Sequence, residues 1–190
     1  MAEETPEPRI VNGVNVDTMY ATLDAIKGQP ELGKFQFRAR SRWIDGAHNQ
    51  TTFTNFFGAG QDQDHTQSHQ IDAGEPAVLL GTDTGANPAE AALHALAACL
   101  TTTVVYSAAA RGVNLTEVES TLEGNCDVQG ALGLSDAVPN GFQDIKVSFK
   151  VKGDASRDTL RDIVDKAPTR SFVFDTMSRA IPVTVALVDD

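Results

Sequence analysis

Polar and apolar residues alternate most cleanly between 145 and 152, where Ile145, Val147, Phe149 and Val151 interleave with Lys146, Ser148, Lys150 and Lys152. A period of two predicts a half-buried strand. The same pattern runs through 113–128, with Val118, Leu122, Cys126 and Val128 on the apolar side and Glu117, Glu119, Glu123 and Asp127 facing away. In "KFQFRARSRW", Phe35, Phe37, Ala39, Ser41 and Trp43 take one face and Arg38, Arg40 and Arg42 the other. "DGAHNQ" then reads as a hairpin turn and "TTFTNFFGAG" as the return strand. "GQDQDHTQSHQ" is polar and predicts a loop, "PAVLL" a short strand and "IPVTVALV" a last strand.

Helical spacing appears three times. Val16, Met19, Tyr20, Leu23 and Ile26 predict an N-terminal helix, with Asn15 or Asp17 as cap and Gly28 and Pro30 as stops. The stretch "NPAEAALHALAACLTTTVVYSAAARG" predicts a long helix, capped by Asn87, with Pro88 in its first turn and a stop near Gly112. Leu160, Ile163, Val164 and Ala167 form one face of a third helix, capped by Asp154 or Ser156 and ended by Pro168. "RSFVFDTM" adds a short turn or helix, and "GALGLSDAVPNG" is a connecting loop. Strands outnumber helices and come in meanders, so the predicted class is α+β. Leu93, Ala95, Leu96, Ala97, Ala98, Leu100, Val104 and Val105 go all round the long helix. Such a helix needs protein on every side, and the expected source is a second subunit.

Composition narrows the partners. The 190 residues carry a net charge of -11, which repels nucleic acid and anionic membrane, so neither is expected to bind. The acidic, proline-containing residues 1–14 are expected to be disordered, followed by an N-terminal helix extension over 15–30. "MAEETPEPRIVNG" lacks the basic and apolar regions of a secretory signal. Thr101 to Thr103, Ser107 and His94 break the apolar run of the long helix below a membrane-spanning length. A cytoplasmic location is expected, with Cys99 and Cys126 as thiols.

The candidate chemistry centres on Cys99. It reads either as a small core residue or as a reactive thiol, and reactivity needs a neighbour that favours the thiolate. Ala92, Ala95, Leu96 and Thr103 share its helix face, while Glu90 and His94 lie off it, so an activator must come from elsewhere. Cys126 reads as buried core. Arg38, Arg40 and Arg42 read as a solvated edge or as partners for an anion. His65 and His69, beside Asp62 and Asp64, lack a third ligand, so no metal is expected. "GAGQDQD" has no phosphate-loop lysine, and no G-x-S-x-G elbow is present.

Taken together, "GANPAEAALHALAACL", "RGVNLTEVESTLEGNCDVQG", "DIKVSFKVKGDASRDTLRDIVDKA" and "RSFVFDTMSRAIPVTV" resemble the OsmC/Ohr family (osmotically inducible protein C and organic hydroperoxide resistance proteins). The similarity runs from about Phe35 to Val188 and marks 31–190 as a single OsmC-like domain. It implies antiparallel sheets around a long buried central helix, an intertwined homodimer, and thiol-dependent reduction of organic hydroperoxides without a cofactor.

By that resemblance Cys99 matches the peroxidatic cysteine, and Ser171 stands where the family carries its resolving cysteine. Ala89 occupies the position of the family's glutamate, with Glu90 beside it, and Arg40 or Arg42 takes the part of the family's arginine. The implied protein is a single-cysteine redox enzyme whose sulfenic acid is resolved by an external thiol reductant. Its catalytic group would be Cys99, Arg40 and Arg42, and Glu90, Ser171 and His94 would line the substrate pocket. The alternative is a non-catalytic dimer that binds a small apolar ligand, with Cys99 as packing. A third option is a metal or regulatory role for "DQDHTQSH".

Overall fold

The computed structural model describes residues 7–188, so residues 1–6 of the expected disordered tail lie outside the described residues. The chain forms two compact units, one running to Ala92 and the other starting at Leu93.

The first unit opens with a small hairpin, β1 (Ile10–Val11) and β2 (Val14–Asn15), where a loose tail was expected. Asn12 and Gly13 both have positive φ, the requirement of a tight two-residue hairpin turn, and this short-range signal outweighs the polar composition. Helix α1 (Val16–Gly28) follows, and of the two candidate caps Asn15 is the one used: its side chain accepts from Thr18 N. Val16 is buried, whereas Tyr20 and Leu23 on the predicted apolar stripe are exposed.

Strand β3 (Ala39–Asp45) pairs with β4 (His48–Phe53), which pairs in turn with β7 (His69–Ala73). The turn is only Gly46-Ala47, tighter than predicted, because Gly46 takes a positive φ and lets His48, Asn49 and Gln50 join the return strand. The predicted return strand is itself split, its second part being β5 (Phe56–Gly58), which pairs with β6 (Gln61–Gln63). The expected polar loop 60–70 therefore contains β6 and leads into β7. Cross-strand side-chain bonds hold β7 where apolar alternation does not: Gln70 donates to Thr52 Oγ1, and Asp72 meets His48 at 2.8 Å. "PAVLL" is a 3₁₀ turn over Ala77–Leu79, not a strand; Leu80 is left-handed and the Gly81 N–H folds back to the Pro76 carbonyl.

Helix α2 (Pro88–Ala110) continues from the first unit into the second. Its length and composition would suffice to cross a membrane, which the count of uninterrupted apolar residues did not register. Leu96, Leu100, Val104 and Ala108, spaced by one helical turn, are nevertheless packed in the second unit's core. Ala98, Thr102 and Tyr106 on another face are exposed, so within one chain α2 is covered along a stripe and not all round.

The core stripe meets a long hairpin of β8 (Leu115–Asn125) and, after the short helix α3 (Val128–Ala131), β9 (Asp144–Gly153). Val118 opposes Val151, Ser120 opposes Phe149 and Leu122 opposes Val147 on the inner face. Glu119 opposes Lys150 and Glu123 opposes Lys146 on the outer face. The strand stops at Asn125, so Cys126 is exposed and Val128 lies in α3; the expectation that Cys126 is core is corrected. Helix α4 (Arg157–Lys166), capped by Ser156, adds Leu160, Ile163 and Val164 to the core. Asp154, the other candidate cap, instead accepts from the Asn114 backbone and side chain. After a 3₁₀ turn over Ala167–Arg170 comes α5 (Phe172–Ser178). Residues 181–188 form no strand, since nothing in the described chain offers them a ladder, and Val183, Val185, Leu187 and Val188 are exposed.

Candidate functional site

Cys99 sits in mid-α2, half-buried and free of any disulfide. Its backbone carbonyl accepts from Thr103 Oγ1 at 2.8 Å, one turn on along the face predicted for both. Opposite its sulfur stands the residue that caps α5. Ser171 is only 2% exposed, and its hydroxyl donates to Cys99 Sγ at 3.1 Å. The same oxygen accepts from Phe174 N at 3.2 Å. A serine before a short apolar run is a strong helix cap, and this cap fixes the hydroxyl against the thiol. Seventy-two positions separate the two residues, so only the fold brings them together.

Beside Ser171 lies an open hollow of about 530 Å³, bounded by Pro168, Arg170, Phe172 and Phe174. A larger hollow of about 740 Å³ between β9 and α4 contains neither Cys99 nor Ser171, so volume does not locate the chemistry. Arg170, Phe172 and Phe174 were not among the sequence candidates. Their nearness to Ser171 in the chain was the available signal, since residues flanking a cap share its surroundings.

Glu90 is exposed, and its carboxylate accepts from Asn87 N at 2.9 Å while Glu90 N donates to Asn87 Oδ1 at 2.9 Å. This reciprocal capping box gives Glu90 a definite structural task at the start of α2. His94 is exposed on α2. Arg40 and Arg42 are exposed on β3 in the first unit. Arg42 donates to Gln50 Oε1 at 3.1 Å. Arg38, by contrast, is engaged by Gln36, Asn55 and Asp62.

The histidine pair takes an aromatic arrangement. His65 and His69 meet edge to face with centroids 5.1 Å apart, and His65 lies 5.3 Å from the Phe56 ring. Among the described residues no group of three or more His, Cys, Asp or Glu side chains is gathered as a metal site.

Comparison with known proteins places this arrangement. Residues 81–186, more than half the chain, match the family model for OsmC-like proteins. The segment contains α2, the β8–β9 hairpin and the Cys99–Ser171 pair. Comparison with curated proteins yields no significant match. Among solved structures, an OsmC-like protein from Mycoplasma pneumoniae superposes with a TM-score of 0.58 at 14% identity, over 75% of this chain and 87% of that one. An OsmC-like protein of unknown function from Vibrio cholerae gives 0.51 at 12% identity, over 74% and 92%. An OsmC organic hydroperoxide resistance protein from Legionella pneumophila gives 0.49 at 18% identity, over 75% and 88%. The first two likenesses agree in fold with the mixed α+β architecture of antiparallel sheets and a long helix, and with the family match they establish that this chain belongs to the OsmC-like family.

Proposed function

We propose that the protein is a thiol-dependent organic hydroperoxide reductase with Cys99 as its peroxidatic nucleophile. The observation that carries this reading is the 3.1 Å hydrogen bond from a buried Ser171 hydroxyl to the Cys99 sulfur, inside the segment that matches the family. A thiolate, not a thiol, attacks peroxide, and a fixed donor favours the charged form. The sulfur takes the distal oxygen, the O–O bond breaks, and a proton converts the departing alkoxide to an alcohol, leaving Cys99 as sulfenic acid. An external thiol then condenses with it, releasing water, and a second thiol restores Cys99 while leaving as a disulfide. In this reading no cofactor takes part. Arg40 or Arg42 serves as electrostatic partner, and Glu90, Ser171 and His94 border the substrate.

The same reading takes 31–190 as one functional domain in a cytoplasmic homodimer. Two features support the dimer. Among the described residues, Ala98, Thr102 and Tyr106 leave one face of α2 uncovered, and the apolar segment 181–188 extends without a ladder partner. The absence of a thiol at position 171 supports the second reading, a non-catalytic dimer binding a small apolar ligand.

Turnover of cumene hydroperoxide with an added thiol, compared between the natural chain and Cys99→Ser, separates the two. Consumption that disappears in the variant is the expected result. Undiminished consumption would remove Cys99 from the chemistry, and no consumption by either chain would favour ligand binding.

A further inference from the structure

We infer that Ser171 is a positioning residue for Cys99: its hydroxyl holds the sulfur in place and stabilises the thiolate, in addition to capping α5. This rests on the reading of Cys99 as the nucleophile.

A serine oxygen has one hydrogen and two lone pairs. The Phe174 N–H occupies one lone pair, and Cys99 Sγ is the acceptor that the described residues offer the hydrogen. The hydroxyl therefore cannot turn its hydrogen toward the helix amide it is already accepting from. At 2% exposure, water has little access to compete for either bond. A hydrogen bond to an ionised group is about twice as strong as one between neutral groups, so this donor favours thiolate over thiol. Its direction is set by the cap of α5, which makes the sulfur's environment depend on a helix that does not carry the cysteine.

Position 171 also defines what happens after oxidation. A hydroxyl can hold a sulfenic acid but cannot displace its oxygen. A thiol there could: its sulfur would bond to Cys99 Sγ, and the sulfenic oxygen would leave as water with the thiol's proton. Ser171→Cys therefore reads the same contact covalently.

The experiment uses the full chain, cumene hydroperoxide and a sulfenic-acid trap, with adducts at Cys99 followed by mass spectrometry across pH. The natural chain is expected to form the Cys99 adduct. Ser171→Ala should form it about tenfold more slowly near neutral pH, the loss of one hydrogen bond to a charged group, with the gap closing in alkali where every thiol ionises. Ser171→Cys should replace the trapped adduct with a disulfide between position 171 and Cys99. Equal rates for the natural chain and Ser171→Ala at every pH would overturn the inference. So would a deficit of constant size across pH, which marks a purely structural role. Should Ser171→Ala fail to fold, Ser171→Cys decides: trapped sulfenic acid without disulfide shows that side chain 171 does not meet the sulfur. If the natural chain forms no adduct at all, the nucleophile reading itself fails and the inference falls with it.

Discussion

Asn87 and Glu90 satisfy each other's backbone N–H groups at the start of α2, and one of those two bonds, from Asn87 N–H, ends on the Glu90 carboxylate. Asn87→Ala is expected to lower stability by about 1 kcal/mol, and Glu90→Ala by about half that, read from urea unfolding midpoints. Gly130 is tighter still. A Cβ there would stand 2.4 Å from the Val138 carbonyl oxygen and 2.7 Å from that of Pro139. Both are backbone atoms that cannot swing aside, so Gly130→Ala should cost about 1–3 kcal/mol by the same measurement. Asn87 was legible as a cap because a cap is a local device, set by residues a few positions apart; its exchange with Glu90 was not read, nor was the cap formed by Ser171. The Ser171 to Cys99 contact was not legible from spacing. It depends on where α5 begins relative to the middle of α2, and only the family resemblance pointed to that position.

The hairpin of β8 and β9 shows at the level of elements why some strands could be read and others could not. One of its faces meets the α2 and α4 core and the other meets water, so the sequence must alternate. Strand β6 carries no apolar residue, and β7 leaves Ile71 exposed while Gln70 and Asp72 bond across to Thr52 and His48 on β4, so neither strand shows the long alternation of a half-buried one. The outer face of the β8–β9 hairpin also sets a pH response. Hydrogen bonds from Lys150 and Lys152 hold the Glu117 carboxyl below its ordinary value of 4.5, and Glu117 in turn raises both lysines. A carboxyl lowered on folding contributes stability above its unfolded value and loses it as pH falls through the lowered one. Glu117→Gln should therefore unfold at lower urea than the natural chain near neutral pH. The difference should vanish in acid below that lowered value. Because the pair is solvent-exposed, concentrated salt should shrink it as well.

For the molecule as a whole, residues 181–188 have the composition of a strand and, among the described residues, no neighbour to pair with. Beta structure is completed between segments, so a propensity read from one segment predicts the need for a partner but not who supplies it. If that partner is a second copy, the natural chain should sediment as a dimer, and removal of 181–188 should shift it toward monomer. Equal sedimentation of the two chains would assign the dimer contact elsewhere. The two cysteines add a practical matter. Cys126 stands in solvent just past β8, while Cys99 is half-buried against Ser171. A colorimetric titration of total sulfhydryls would register the surface group first, and air oxidation in storage would link chains through it. Kinetic traces from unlabelled protein would then describe the bystander, and Cys126→Ser is the background in which the other cysteine can be timed.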